Sequence, residues 1–532
     1  MMKLINPILL VFWVAAVSAH QPVHRDDAGQ LSEPAVAAEL SSHEKQTFPV
    51  TIRLYNEQGK RTSAMLSLAR AGSWQQIPLE QQFLSNALHP LRSSERRQWR
   101  GKFPIHSKGE TVLMLASGHY TLTVGKGLEY YREKHNFEVA GKQTLSVDVR
   151  LRRWVDLPAQ GWWSGDPHVH VSRPSLDKDR DILAAAMAED IHITSTLEMG
   201  DVDEMHFPGR SRGLAGRIRE GSFYLVPGQE EPRTNELGHS IVLNTQQLYR
   251  DKDNYYRYDQ LFARARDDGA VAGLAHYFYA KFHSYRAGAL LLPDGLVDFV
   301  ELLDDSDILS PGQYYDALNL GFKLPVSAGS DYPWGAHIGD QRTYVQLAKD
   351  QALSPEAWYQ GLKEGRSYVT QGPILRFTIN GQGIGSAVNV RSGDTLRIRA
   401  EAQAPPYIGA AKQLALISMG EKLIEVSRAD RSESPLKLSH ALSVNKSQWF
   451  VVVAQGHNGA LAHSSPIYVS VDSRPARLEG PALKALVAKQ IAVVRGASGK
   501  TIPLQHRTRE FEDWLRRIEA YYIHLGGQEQ EQ

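Results

Sequence analysis

The feature that most constrains the fold is an alternation of short apolar runs and helical patterns between Gly161 and Gly372. Helical spacing occurs in "DRDILAAAMAED" and "DQLFARARDDG", and Gly269 at the end of the second stretch is typical of a helix C-cap. The apolar runs between and after them are "HITSTLE", "SFYLVPG", "VAGLAHY", "VDFVELL" and "LPVSAGSD". Strands that alternate with helices predict a parallel sheet or barrel, whose sites form at the carboxyl ends of the strands.

Residues of the metal-ligand type occur where these strands are predicted to end. The stretch "WWSGDPHVHVS" places His168 and His170 two apart, so both side chains point to one face of a strand. The other candidates in this segment are Glu198, Glu230, His239, His276, Asp331 and His337. Carboxylates gathered at one end of a sheet repel each other unless a cation neutralises them. We therefore predict a metal site, with a network of structural histidines as the alternative.

Composition narrows the choice of metal and partner. The chain has no cysteine, so any metal must be bound by His, Asp and Glu, which suits Zn, Mn or Fe. Lys and Arg number 60 and Asp and Glu 59, so there is no basic excess of the kind that binds nucleic acid. We expect a small-molecule substrate and leave the oligomeric state open.

Period-two alternation on both sides of the central segment predicts two antiparallel β-sandwich domains, at residues 47–156 and 373–475. Val50, Ile52 and Leu54 form one face in "VTIRLY", and Leu375, Phe377 and Ile379 do so after the central segment. Residues 476–532 contain two helical patterns. The second has an apolar stripe that predicts a packing helix: Phe511, Trp514, Leu515, Ile518, Tyr522 and Leu525.

The N-terminus has the pattern of a secretory signal peptide at residues 1–19. Lys3 precedes a short apolar run, and "VSA" before His20 is a small-residue cleavage pattern. A membrane anchor is the alternative, but the run is short for a span. The polar residues 20–46 predict a flexible linker. We expect a bacterial periplasmic or secreted protein with no stable membrane insertion after cleavage.

Several motifs, in this order, resemble the PHP (polymerase and histidinol phosphatase) superfamily, and within it the CehA/McbA-type metallohydrolases. They are "GDPHVH", "VPGQEEPRTNELGHSIVL", "GLAHY", "SAGSDYPWGAH" and "GRSYVTQGP". The resemblance covers most of the chain after the signal peptide. It implies a distorted (β/α)7 barrel over residues 157–372, with divalent metals at the carboxyl ends of the strands. The expected fold is thus multidomain α/β plus β, with a PHP-type barrel between two β domains and C-terminal helices.

The resemblance also implies the ligands. The first metal would be bound by His168, His170, Glu230 and Asp331. The second would share Glu230 as a bridge and add His239 and His276. The usual ligands of a third metal are absent, because no His lies between His170 and His192, and Met199 and Pro333 stand at two expected positions. We therefore expect two divalent ions, Zn, Mn or Fe.

The expected activity is cleavage of an ester or carbamate by a water that two metals activate. We assign catalysis to Glu230, Asp331 and His337. Residues expected to orient a ligand or contact the substrate are Asp166, Glu198, Arg233, Lys281 and Arg342. Solvent-exposed cations are the alternative for the last three, and core packing is the alternative to a pocket wall for Tyr277 and Trp334. Two other functions stay open: a phosphoesterase, and a non-catalytic protein that binds envelope glycan or another ligand on a degenerate barrel.

Overall fold

A computed structural model describes residues 46–70, 105–141, 144–277, 283–303, 311–334 and 337–527. The predicted signal peptide, nearly all of the predicted linker and Lys281 lie outside these residues. The described chain is a mixed α/β protein with several β-sheets. None of its described helices is long and apolar enough to cross a membrane.

Two sheets form the first part of the described chain. Their strands are β1 (Thr47–Tyr55), β2 (Ala64–Arg70), β3 (Ile105–Ser107), β4 (Glu110–Ala116), β5 (Gly118–Gly125), β6 (Glu133–Val139) and β7 (Leu145–Arg150). The sheet orders are β4-β1-β7 and β3-β2-β5-β6, and side chains from both sheets share one apolar core. The predicted alternation is confirmed, since Val50, Ile52 and Leu54 are fully buried.

The prediction of a wholly antiparallel domain is wrong at one pair. β1 runs parallel to β7, while it runs antiparallel to β4. Parallel neighbours need a long connection between them, and here almost the whole domain separates the two strands in sequence.

The described residues of the central segment form twelve strands and five α-helices. The strands are β8 (Trp162–Val169), β9 (Ile193–Gly200), β10 (Met205–His206), β11 (Ile218–Glu220), β12 (Phe223–Glu230), β13 (Arg233–Thr234), β14 (Gly238–Leu243), β15 (Val271–Leu274), β16 (Phe299–Leu303), β17 (Val326–Ala328), β18 (Arg342–Gln346) and β19 (Ser367–Thr370). The helices are α1 (Leu176–Ala188), α2 (Tyr258–Asp267), α3 (Ser284–Leu291), α4 (Gly312–Asn319) and α5 (Pro355–Lys363).

Seven of these strands follow one another round a closed sheet in the order β8-β9-β12-β14-β15-β16-β17, and a bridge between Val169 and Tyr332 joins its ends. Neighbours are parallel except at β14, which is antiparallel to β12 and β15. The expectation of parallel strands is thus corrected at β14. Residues 231–237, which link β12 to β14, are too few for a crossover helix.

The C-terminal part continues this sheet. Its strands are β20 (Ile374–Ile379), β21 (Gln382–Gly383), β22 (Ala387–Val390), β23 (Thr395–Gln403), β24 (Ala411–Ser418), β25 (Glu421–Ser427), β26 (Leu436–Ser443), β27 (Gln448–Gly456), β28 (Leu461–Ser464) and β29 (Ile467–Val471). A separate sheet has the order β21-β20-β23-β26. β18 pairs with β8 and β19, and β19 pairs with β28, so sheet hydrogen bonds cross the predicted boundary at residue 372.

Two helices end the described chain, α6 (Gly480–Gly496) and α7 (Arg509–Gly527). All six residues of the predicted stripe on α7 are buried, so the prediction of a packing helix is confirmed. They share a core with apolar residues of α2, α3 and α4. Tyr522 Oη donates to the Ala289 carbonyl at 2.9 Å, and Trp514 Nε1 donates to Asp294 at 2.9 Å, so α7 is fixed against α3 and the turn that follows it.

Candidate metal centre

The first two predicted ligands stand at the end of β8. His168 and His170 are buried, and their Nε2 atoms lie 3.0 Å apart. Asp331, in the turn after β17, places Oδ1 3.3 Å from His168 Nε2 and 3.4 Å from His170 Nε2. These three residues form a group whose ligand atoms are close enough to hold one metal ion.

A glycine lets this turn approach β8. A Cβ on Gly329 would lie 2.3 Å from His168 Cβ, so no larger residue fits without displacing the ligand. Asp166 also keeps this turn close to β8, because its carboxylate accepts the backbone N–H groups of His168, Ser330 and Gly339 at 2.7–3.1 Å. Asp166, expected to orient a His ligand, thus positions the backbone of both segments, that of His168 and that of the turn after β17. Burial raises its pKa to about 6 despite these hydrogen bonds.

Glu230, the last residue of β12, lies between two sets of histidines. Its Oε2 is 3.3 Å from His170 Nε2 and 3.9 Å from His168 Nε2, while its Oε1 is 2.7 Å from His239 Nδ1 on β14. Glu230 also groups with His168 and His276 as a candidate metal-binding set. All six predicted ligands therefore converge, and the two oxygens of Glu230 face different partners, as in a bridging carboxylate.

The sequence analysis missed Glu301, which lies on β16 and is fully buried. Its carboxylate oxygens lie 3.0 and 3.1 Å from His168 Nδ1, and Oε2 also accepts the His276 backbone N–H at 3.3 Å. Ligating histidines commonly donate their second ring nitrogen to such a group. The available signal was a carboxylate inside the apolar run "VDFVELL".

Ring tautomers follow from these contacts. A carboxylate or a carbonyl accepts, so His168 Nδ1 donates to Glu301, and His170 Nδ1 donates to the Leu197 carbonyl at 3.1 Å. The two Nε2 atoms then face each other with lone pairs, which is unfavourable unless a proton or a cation lies between them. Glu230 Oε1 is buried as well and lies 2.7 Å from His239 Nδ1. Donor atoms arranged this way suit a metal ion.

The pKa values of the residues in the centre also favour a bound cation. Burial lowers the pKa of His168, but Glu301 and Asp331 outweigh it and hold that pKa well above its usual value. Burial also lowers the pKa of His276, yet Asp331 raises it to about 9. Burial raises the pKa of Glu230 and Asp331, and the surrounding histidines more than offset this, so both carboxyls have pKa values well below normal. Without a metal the centre retains protons, and a divalent cation would replace them.

His239 differs from the other histidines. Burial lowers its pKa to about 4, although Glu230 opposes the shift. Arg233 Nε lies 3.3 Å from His239 Nδ1 and 3.8 Å from Glu230 Oε1, and its side chain is partly exposed. Arg233 is therefore the predicted cation that the structure places at the edge of the centre, where it can meet an anionic group.

Glu198 and Arg342, the other two predicted substrate contacts among the described residues, have partners within the protein. Glu198 pairs with Arg212 at 2.6 Å and accepts the Gly209 N–H at 3.2 Å, so it fastens the loop after β10. Arg342 is fully buried and donates to the Gly339 carbonyl and to Glu189, so its guanidinium is not available to a substrate. The expectation that Arg342 contacts the substrate is therefore corrected, because Arg342 is buried and paired with Glu189.

His337, assigned to catalysis from the sequence, is also placed differently. It groups with His106 and Glu189 rather than with His168 or Glu230. The chain folds back after Asp331, and Asp340 Oδ2 accepts the His337 N–H at 3.0 Å, which fixes this turn.

Aromatic rings flank one side of the centre. Trp334 and Phe207 lie with ring centroids 5.4 Å from His170 and 6.1 Å from each other. Phe207 was not predicted, and its backbone has a φ of 55°. Tyr277 is buried in the core shared with α2 and α3, so the packing alternative holds for it. The rings of Phe207 and Trp334 give the centre an apolar wall.

Comparison with protein-family models gives no match, and comparison with curated proteins gives none either. Among solved structures, PsfC from Pseudomonas syringae PB-5123 has 17% identity and a TM-score of 0.26, over 37% of this chain and 88% of PsfC. The fibronectin(III)-like modules of CbhA from Clostridium thermocellum have 19% identity and a TM-score of 0.14, over 27% of this chain and 68% of theirs. Both likenesses are too slight to assign a fold or a function.

Proposed function

We propose that this protein is a metal-dependent hydrolase that binds two divalent ions, Zn, Mn or Fe, and cleaves an ester or carbamate bond of a small molecule. The observation that carries the proposal is the convergence of six buried His, Glu and Asp side chains from five segments, with Glu230 between two sets of histidines. We further propose that the closed central sheet is a PHP-type barrel, between two β-sandwich domains, in a protein exported to the periplasm or secreted.

His168, His170, Glu230 and Asp331 would hold one ion, and Glu230, His239 and His276 the other. Two such ions supply Lewis acidity, which lowers the pKa of a water to about 7 and polarises a scissile carbonyl. Glu301 and the Leu197 carbonyl hold the Nδ1 protons of His168 and His170, so both Nε2 lone pairs stay directed at the centre. Burial raises the pKa of Asp331, but the surrounding histidines hold it well below normal, so its carboxylate is ionised at neutral pH and would serve as a ligand. We assign to the same carboxylate the relay of a proton from the attacking water to the leaving group.

Two features support an ester or carbamate over a phosphomonoester. Glu198, a candidate ligand for a third metal, is held by Arg212 and Gly209, and Met199 and Pro333 supply no imidazole at the two positions where the resemblance expects one. The wall of Phe207 and Trp334 suits an apolar or aromatic substrate group. Arg233 at the edge of the centre can polarise or orient a carbonyl or carboxylate of the substrate.

The test is turnover of three aryl substrates, an acetate, an N-methylcarbamate and a phosphate, before and after chelation and after metal is restored. We expect chelator-sensitive cleavage of the acetate or carbamate that exceeds cleavage of the phosphate. His168→Ala should abolish it, while Glu198→Gln should retain it. Activity that survives His168→Ala, or the absence of metal-dependent turnover on all three substrates, would contradict the proposal.

A further inference from the structure

A second group of ligand-type side chains lies apart from the proposed centre. His106 on β3, Glu189 at the end of α1 and His337 in the turn after β17 come from three segments. Their ligand atoms all lie within 4.8 Å of one another, and each residue is buried. The rings of His106 and His337 meet edge to face at 6.0 Å.

His106 is the unusual member of this group. It is 6% exposed, and neither of its ring nitrogens has a hydrogen-bond partner among the described residues. His337 Nδ1 is buried without a partner in the same part of the structure. Buried imidazoles normally satisfy at least one nitrogen, because an unmade hydrogen bond in the interior is costly. Two such rings beside a carboxylate indicate a ligand that fills the space between them.

Hydrogen bonds and strand pairing hold the segments that carry the three side chains. The Glu189 carbonyl accepts from Arg342 Nη1 at 3.1 Å, and Arg342 Nη2 lies 3.4 Å from Glu189 Oε2, which orients the carboxylate. Arg342 also donates to the Gly339 carbonyl, two residues after His337. His106 is held by the pairing of β3 with β2, opposite Met65. Buried Arg342 thus positions two of the three groups, which is the kind of outer support that metal ligands have.

We propose that His106, Glu189 and His337 form a zinc site that links the N-terminal β-sheet to α1 and the turn after β17. Two imidazoles and one carboxylate, without thiolate, are a ligand set that Zn²⁺ accepts, with a fourth position left for water. Burial, together with His337, lowers the pKa of His106 to about 3, so its ring is neutral at pH 7 and offers a lone pair without releasing a proton. The site does not depend on the proposed hydrolase activity.

The experiment measures zinc per chain by mass spectrometry after the metal-free full chain is loaded with Zn²⁺ and freed of excess. The variants are His106→Leu, which fills the buried position with an apolar side chain, and His337→Ala. His119→Ala is the matched control, because it removes an exposed histidine from β5 of the same sheet. Circular dichroism confirms that each variant is folded.

We expect His106→Leu and His337→Ala each to bind one zinc ion fewer than the wild type, and His119→Ala to bind the same number. The difference in zinc content between a variant and the wild type does not depend on how many ions the central cluster binds. Failure of this proposal is therefore distinct from failure of the hydrolase proposal. Equal zinc content in folded His106→Leu and wild type would overturn the site and leave a buried water as the occupant. If one of the two variants does not fold, the other decides.

Discussion

Replacement of Glu301 by Gln tests how the centre is built. Glu301 is fully buried, accepts from His168 Nδ1 at 3.0–3.1 Å and from the His276 N–H at 3.3 Å. Gln keeps the volume but loses the charge. Its amide oxygen can replace Oε2, which accepts from both neighbours, but its amide nitrogen then stands where Oε1 accepts from His168 Nδ1. His168 Nδ1 therefore faces a donor as well as an acceptor and loses the negative charge that fixes its tautomer.

The size of the effect follows from comparable groups. Loss of a residue that orients a ligating histidine weakens metal affinity or activity about 10- to 100-fold, which corresponds to about 1.4–2.7 kcal/mol. We expect this loss for the ion that His168 binds and a smaller one for the ion at His239, because Glu301 does not contact that ring.

The assay is a competition titration of the metal-free protein with Zn²⁺ and a chromophoric chelator. Glu198→Gln is the control, since Glu198 is similarly buried but pairs with Arg212. The reasoning is refuted if Glu301→Gln binds zinc as tightly as wild type, or if Glu198→Gln weakens binding equally.

Three further outcomes are expected. The folded-state pKa of His276 is about 9 against an ordinary 6.5, so its protonation stabilises the metal-free protein fully below pH 6.5, and this stability is lost as pH rises through 9. Zinc affinity should rise over the same interval. A melting temperature and a zinc affinity that do not vary with pH would contradict the shift. Trp334→Ala should raise KM for an aryl substrate about 2- to 10-fold, because an aromatic contact is worth about 0.5–1.5 kcal/mol, whereas an unchanged KM would remove Trp334 from the pocket. Ile518→Ala should destabilise the protein by about 2–5 kcal/mol in denaturant unfolding without changing zinc content, since Ile518 is buried on α7; a loss below about 1 kcal/mol would contradict its packing role.

The residues of the candidate centre were predictable in part from where they stand in the sequence. Five of the six lie at or near the carboxyl end of a predicted strand or in the turn that follows, and such ends meet at one edge of a sheet. His239 instead lies at the start of β14. Strand ends alone also selected Glu198 and His337, and the set of six followed from the resemblance. The stripe on α7 was predictable from local information, because helical spacing alone selects the buried face.

The features that sequence analysis missed depend on contacts between distant segments. Glu301 lies in an apolar strand, where spacing does not reveal that it faces His168 on another strand. In the sequence, Arg342 is a cation close to the candidate ligand Asp331, which suggests a substrate contact. Only the structure shows that it is buried and paired with Glu189. His106 and Glu189 meet because β3 packs near α1, which no periodicity in either segment encodes.

The reversed strand β14 is an intermediate case. The short link between β12 and β14 excludes a crossover helix, and this was visible in the sequence. The structure places His239 of the motif "LGHSIVL" beside Glu230, although the direction of its strand was not predicted.

The most direct test of the central claim is a crystal structure of zinc-loaded protein with anomalous diffraction at the zinc edge. We expect two anomalous peaks about 3.5–4 Å apart, one bounded by His168, His170 and Asp331 and the other by His239 and His276, with Glu230 between them. A single peak among these residues, or none at saturating zinc, would contradict the two-metal centre.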